Sequence, residues 1–270
     1  MEFFEKDFLG IADSKELFLR GINVFSFELI DSTQQAARRY AQNAQKCPAL
    51  FIADSQTQGR GRLGRSFYSP FATGIYMTLL LDVTDDAPAG VCRLTSAAAV
   101  AVALAAESVT GAQCLIKWVN DIYVHGRKAC GILAESFFVL DRRYVAIGVG
   151  INLCTSDFPE DISDVACSLT DGASQETRAR LALSVACRLY DAYRSLCDGD
   201  VSYMDEYRRR SAVIGKQVTF IKNGEAQNGT AVSVDDDGGL CVELEDGRTV
   251  TLNSGEITLR IKEDGGCSDE

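Results

Sequence analysis

Gln56-Thr57-Gln58-Gly59-Arg60-Gly61-Arg62-Leu63-Gly64-Arg65 is the stretch whose reading decides this chain. From Gly59 to Arg65, three glycines and three arginines occupy seven residues. Glycine tolerates positive φ and lets a ligand approach the main chain. Arginine adds permanent charge on a planar donor fork that matches phosphate or carboxylate. Gly/Arg stretches also occur in loose RNA-binding tails, and many basic loops are merely solvated. A tail, however, is not bracketed by strands, and here residues 49–53 and 74–81 are apolar runs of strand formers on either side. The stretch therefore reads as an anion-binding loop slung between two strands.

The rest of the composition bounds that reading. At 270 residues the chain suits one domain of ordinary size and a smaller one. A formal charge of −11 argues against broad nucleic-acid binding, which needs a basic face, while leaving room for a locally positive pocket. Ten cysteines are scattered without a C-x-x-C pair, and the single histidine, His125, cannot complete a zinc signature. Such thiols fit a reducing cytoplasm better than a disulfide framework. The N-terminus carries Glu2, Glu5 and Asp7 with no basic-then-apolar leader, and no apolar run is expected to approach membrane-spanning length.

Working outward from the loop, residues 24–30 alternate like a strand and Asp31-Ser32-Thr33 can cap a helix over about 33–45. The almost uniformly apolar run 90–109 predicts a buried helix. Residues 114–121, 122–125, 128–138 and 144–153 read as strands; a Gly126-Arg127 link suggests a type II′ hairpin, and Asp141-Arg142 a second tight turn. With 125 opposite 128, Asp121 and Lys128 share a face. The strand 144–153 contains Gly148-Val149-Gly150-Ile151-Asn152, whose glycines again invite a ligand. After an irregular stretch come helices near 175–197 and 201–210. From Gly215 four short strands separated by Asn223-Gly224, Asp237-Gly238-Gly239 and Asp246-Gly247 imply a small barrel. The expected division is 1–212, 213–262, and an acidic, disordered tail 263–270.

Five blocks in order resemble the biotin protein ligases: Asp31-Ser32-Thr33; Gln56 with Gly59 to Arg65; Lys117-Trp118-Val119-Asn120-Asp121; Arg127-Lys128-Ala129-Cys130-Gly131-Ile132-Leu133; and Gly148 to Asn152. The resemblance spans roughly residues 22–260. It implies an α+β fold, a mixed β-sheet with packed helices similar to class II aminoacyl-tRNA synthetases, followed by a small SH3-like β-barrel. It also implies an ATP-dependent, AMP-forming ligase that activates biotin to biotinyl-5′-AMP. Biotin then passes to a lysine of a biotin carboxyl carrier protein domain, the partner of a biotin-dependent carboxylase. A homodimer is allowed; nucleic acid and membrane are not expected as partners.

By the same resemblance, Ser32, Thr33, Gln34, Gln56, Arg60, Gly61, Arg62, Trp118, Lys128, Gly131, Gly148 and Gly150 bind biotin. Arg65, Phe67, Asn120, Lys128 and Asn152 bind ATP. Lys128, Arg62 and Asp121 are the catalytic set, with Asp121 open between holding Mg²⁺ through water and acting as a base. These residue types suit the chemistry, because a carboxylate attacking a phosphate brings two anions together and fixed cations must offset the repulsion. Serine, threonine and glutamine offer both donors and acceptors to a neutral ureido ring. Loop 57–68 is expected to be mobile without ligand and to close over the adenylate.

Each residue alone has a plainer role: Trp118 as core, Ser32-Thr33 as a helix cap, Asn120-Asp121 as a turn, His125 as surface. Those roles do not account for five ordered blocks. Two departures from the family pattern are Val119 in place of a frequent proline and Phe67 in place of tryptophan. The block pattern matches the monofunctional type, since residues 1–22 cannot house a helix-turn-helix module. The rival readings are a lipoate or octanoate ligase of the same superfamily, whose serine/glycine-rich loop is absent, and a biotin-binding regulator without turnover.

Overall fold

The computed structural model describes residues 14–43, 46–84, 90–222 and 225–253. The turn expected at 223–224 and the tail expected at 263–270 lie outside these residues. Strand formers at 23–30 and 49–56 give β1 (Asn23–Ile30) and β2 (Ala49–Gln56), joined by α2 (Thr33–Ala41) after the short α1 (Lys15–Leu19). The helix permits what a tight turn cannot, a parallel β1–β2 pair, with Asn23 beside Ala49 and Ile30 beside Gln56. Both strands therefore end at the same edge of the sheet. Thr57 N–H donates to Ile30 C=O at 2.9 Å and Gln58 N–H to Asp31 C=O at 2.8 Å, so the Gly/Arg loop emerges alongside Asp31-Ser32-Thr33.

The sheet continues through β3 (Gly74–Asp82), β4 (Leu115–Lys117), β5 (Asp121–Val124), β6 (Arg127–Val139) and β7 (Arg142–Asn152), in the order β1-β2-β3-β7-β6-β5-β4. All pairs but β1–β2 are antiparallel, so the sheet is mixed as expected. Alternation along the strands gives it two different faces. On one, Ile75, Leu79, Ile147 and Ile151 join the main core with α3 (Val91–Thr110) and α4 (Gln175–Cys197). On the other, α2 packs Ala36, Ala37 and Tyr40 over Phe51, Leu80, Tyr144 and Ala146. This second core fills only part of its face.

Helix α3 corrects one expectation: at 20 residues it is long and apolar enough to cross a membrane by length and composition. It is mostly buried between the sheet, α4 and α5 (Tyr203–Arg209). Two turns are also corrected. Val124 pairs with Arg127, so the β5–β6 link is His125-Gly126, with φ of 50° and 76°, a type I′ and not a type II′ arrangement. Val139 pairs with Arg142, which makes Leu140-Asp141 the second turn. Ser32 occupies the N-cap position of α2, but its hydroxyl makes no capping bond.

The four strands expected after residue 215 form an antiparallel sheet, β8 (Gln217–Lys222), β9 (Glu225–Val234), β10 (Leu240–Leu244) and β11 (Thr249–Leu252). It packs against the larger part by specific polar contacts. The Trp118 indole donates to Gly238 C=O at 2.8 Å, Arg93 Nε to Asp237 at 2.8 Å, and Arg208 Nε to Val234 C=O at 2.7 Å.

Between α5 and β8, buried Arg210 binds both Glu107 of α3 and Glu206 of α5. Hydrogen bonding from Arg210 is the main reason the Glu107 carboxyl is held below the usual carboxylate range. A lowered folded-state pKa gives stability that is present above that range and lost as pH falls through the lowered value. Arg210→Met leaves two carboxylates facing each other, and we expect a loss of about 3 kcal/mol at neutral pH by urea unfolding. The deficit against wild type should shrink toward about pH 3, as the carboxylates protonate; an equal deficit at both pH values would contradict the assignment.

Candidate active site

On the face that α2 covers incompletely, a cavity of about 400 Å³ opens beneath the Gly/Arg loop. Its floor is a patch of missing side chains. Gly131 of β6 pairs with Gly150 of β7, and Gly148 lies between Thr78 of β3 and Leu133 of β6. A Cβ on Gly148 would stand 2.6 Å from Gln34 Oε1, and one on Gly150 2.6 Å from the Phe67 ring. These positions need glycine for space, and the space is the cavity.

Its polar end is built where β1 and β2 stop. Gln56 Oε1 accepts from Thr33 N–H at 2.8 Å and from Thr33 Oγ1 at 3.2 Å, while Gln56 Nε2 donates to Ser69 Oγ at 3.0 Å. The buried Ser32 hydroxyl lines the cavity with no hydrogen-bond partner among the described residues. A buried hydroxyl left unpaired costs free energy, and a ligand group would satisfy it. Asp31 holds this corner by a bidentate pair with Arg39 at 2.7 and 2.9 Å, chiefly through which its carboxyl is held below the usual range.

Cations ring the cavity. Arg60, Arg62 and Arg65 reach it from the loop, and Lys117 and Lys128 from the strands, while among the described residues Asp121 is the one carboxylate in its wall. Lys128 Nζ lies 2.8 Å from Asp121 Oδ1. The shared face expected for this pair is thus found, although a bulge at Ile122/Tyr123 places Asp121 opposite Gly131. Lys117 Nζ donates to the Tyr123 hydroxyl at 3.1 Å. Behind this wall Cys130 is fully buried, and burial pushes its thiol well above the usual range, which removes it as a nucleophile.

The loop is folded over the cavity as a small hairpin. Gly61 N–H donates to Arg65 C=O at 2.8 Å and Phe67 N–H to Gly59 C=O at 2.9 Å, around a single 3₁₀ turn at Arg62–Gly64. Its tip is tied across the cavity by Arg62 Nη1 donating to Asn120 Oδ1 at 3.0 Å. Asn120 is held in turn by its Nδ2 donating to Ile132 C=O at 2.8 Å.

Nearly all the residues singled out from sequence converge on this one cavity. Asn152 is the exception: it is buried at the end of β7, its amide donates to Cys167 C=O at 3.2 Å, and it is not part of the lining. Phe67 lines the cavity, but its ring lies on the glycine floor, edge-on to Tyr76 at 6.3 Å. Trp118 joins the wall with its indole N–H engaged by Gly238. The sequence reading missed Thr78, Lys117 and Leu133 as lining residues. Thr78 and Lys117 were each signalled by a polar side chain inside an otherwise apolar strand.

Comparison with known proteins agrees with this arrangement. Residues 26–152 match the biotin/lipoate A/B protein ligase family, and residues 213–260 match the biotin protein ligase C terminal domain. Over 233 residues the chain is 34% identical to the bifunctional ligase/repressor BirA of Bacillus subtilis, covering 84% of this chain and 71% of that protein. It is 31% identical over 224 residues to the biotin–[acetyl-CoA-carboxylase] ligase of Mycobacterium tuberculosis, covering 81% and 82% respectively. Its structure is similar to that of a biotin protein ligase from Aquifex aeolicus in complex with biotin and ATP. The TM-score is 0.75 at 26% identity, covering 89% of this chain and 99% of that one. This chain belongs to the biotin protein ligase family.

The latch at the loop tip makes a prediction independent of any ligand. Removing a hydrogen bond to a charged group in Asn120→Ala should favour loop opening by about 1.5 kcal/mol. Hydrogen exchange at the Gly61 and Arg65 amides should then speed up roughly tenfold, with β6 and β7 amides unchanged. Unaltered exchange in the loop would show that Arg62 is not held through Asn120.

Proposed function

We propose that this enzyme activates biotin with ATP and transfers it to a lysine of a biotin carboxyl carrier protein domain. A biotin carboxylate oxygen attacks the α-phosphorus of ATP, the bond from that phosphorus to the bridging oxygen breaks, and pyrophosphate leaves. The neutral ε-amine of the carrier lysine then attacks the acyl carbon of biotinyl-5′-AMP. The acyl carbon–oxygen bond breaks, AMP leaves, and the amine gives up one proton as the amide forms.

The observation that carries this reading is the convergence of five cations, an acceptor-rich polar end and a side-chain-free floor on one cavity. The ureido ring fits the end formed by Ser32, Thr33, Gln34 and Gln56, where neutral donors and acceptors face each other. The aliphatic chain fits the floor of Gly131, Gly148 and Gly150 beside Trp118 and Leu133. Its carboxylate then points toward Arg60, Arg62 and Lys128, with Gly61 leaving the loop backbone close. Arg65 and Asn120 stand on the nucleotide side, with Lys128 between the two substrates. A ligand on Gly150 must displace the Phe67 ring, which frees that ring to stack on the adenine.

Lys128 acts on both anions, and its ion pair with Asp121 fixes where its ammonium sits. That contact makes positioning Lys128 the best-supported role of Asp121. A Mg²⁺ ion fits this site only if the phosphates supply most of its ligands. Among the described residues, Asp121 is the one carboxylate in the wall and no cluster of three metal-ligating side chains exists. Asp121 would hold the ion through water, and the ion would supply charge neutralisation between the phosphates.

The direct test is pyrophosphate–ATP exchange dependent on biotin, followed by transfer of label to a purified carrier domain. Lys128→Ala should lower biotin-dependent exchange by roughly 10³-fold, the scale of losing a charged contact at developing charge. It should leave the unfolding transition near that of wild type. Lipoate in place of biotin should give no exchange. Biotin binding without exchange would turn the reading toward a regulator, and exchange with lipoate alone toward a lipoate ligase.

A further inference from the structure

Glu135 of β6 lies outside every sequence block singled out above and is not part of the cavity lining. Its Oε2 accepts from Gln34 Nε2 at 2.9 Å, and its Oε1 lies 3.3 Å from Arg38 Nη2. The Arg38 guanidinium rests 4.4 Å over the Phe137 ring, so the carboxylate is anchored on its outer side. Gln34 is buried and donates its amide also to Ala146 C=O, at 3.3 Å. Both acceptors face the Gln34 nitrogen. Gln34 Oε1 must therefore turn inward, over Gly148.

That orientation determines what the polar end of the cavity can recognise. Thr78 Oγ1 has one proton and donates it between two acceptors, Thr33 Oγ1 at 3.0 Å and Gln34 Oε1 at 3.1 Å. The Thr33 hydroxyl proton goes to Gln56 Oε1. Gln56 Oε1 is filled by the Thr33 N–H and O–H, so the oxygens of Thr33 and Gln34 are left sharing the one Thr78 proton, and that pair is short of donors. Among the described residues at this end, the Ser32 hydroxyl keeps a proton with no partner. Such a site selects a ligand with N–H groups beside a carbonyl: the N–H groups meet the oxygens, and the carbonyl meets Ser32.

We propose that Glu135 is a positioning residue that sets this polarity, holding Gln34 with its oxygen toward the ligand so that the ring end accepts N–H. The proposal rests on the biotin reading given above. Without Glu135, what opposes rotation of the amide is the 3.3 Å contact to Ala146 and the Thr78 proton that Gln34 shares with Thr33. Rotated, Gln34 would donate to Thr78, satisfy the cluster internally and cancel its demand for ligand N–H.

The test compares biotin with a biotin methylated on a ring nitrogen, in the pyrophosphate-exchange assay on the full chain. Wild type should prefer biotin strongly, because a methyl replaces an N–H that the site is built to bind. In Glu135→Ala this preference should narrow by at least about tenfold through a higher KM for biotin, with KM for ATP unchanged and exchange at saturating biotin within about threefold. Glu135→Gln, which retains an acceptor oxygen, should restore most of the preference. Thr78→Val removes the shared proton while Glu135 still holds Gln34, so it should keep the preference or widen it. In the double variant the narrowing should shrink, because a rotated Gln34 has lost its Thr78 acceptor. If Glu135→Ala unfolds, Thr78→Val and Glu135→Gln carry the comparison. An unchanged preference in Glu135→Ala, a narrowed preference in Thr78→Val, or KM for biotin and ATP rising together would overturn the proposal. Absence of biotin-dependent exchange in wild type would instead defeat the functional reading and this inference with it.

Discussion

Like-charge repulsion is the constraint on which the site depends. A carboxylate brought to about 4 Å from a phosphate oxygen meets a repulsion of roughly 4 kcal/mol per pair of unit charges near a protein surface. A chain of net charge −11 would by itself make the encounter worse. The structure answers locally, by placing three arginines on one loop and two lysines on strands β4 and β6 around a single cavity. What makes this possible is the parallel pairing of β1 and β2, which ends both strands at one edge and sets the Gly/Arg loop beside Asp31-Ser32-Thr33.

A second division follows from the sheet. One face carries a continuous core that involves α3, α4 and the small C-terminal sheet. The other carries a modest core under α2 and then gives way to glycine, so that stability and chemistry are built on opposite sides of the same strands. The C-terminal sheet is tied to the chemical side through Trp118, the only tryptophan of the chain, whose indole reaches Gly238. Its emission consequently reports on the cavity wall and on the contact between the two parts of the fold.

Much of this was legible in the sequence, for physical reasons that also explain what was not. Helix α4 and the four C-terminal strands were readable because period and turn residues are local signals. The convergence of Ser32, Gln56, Lys128 and Gly150 was readable only as ordered blocks. Thr78 and Glu135 were missed because their roles rest on partners 44 and 101 positions away, across strand pairings that no local pattern fixes. The His125-Gly126 turn was misplaced by one residue because Gly126 can sit at either central position of a primed turn. Asn152 shares the face of Gly148 and Gly150 by alternation, but it is the last residue of β7 and its amide is spent on Cys167 C=O, outside the cavity lining.

Residues 57–68 must close over both substrates if the cavity is to join two anions, and hydrogen exchange at those amides reads that closure. Biotin and ATP together should protect this loop far more than either alone. The tie from Arg62 to Asn120 would then be reinforced by an anion between the guanidinium groups. Equal exchange with and without both substrates, while Trp118 emission shows the cavity filled, would contradict it.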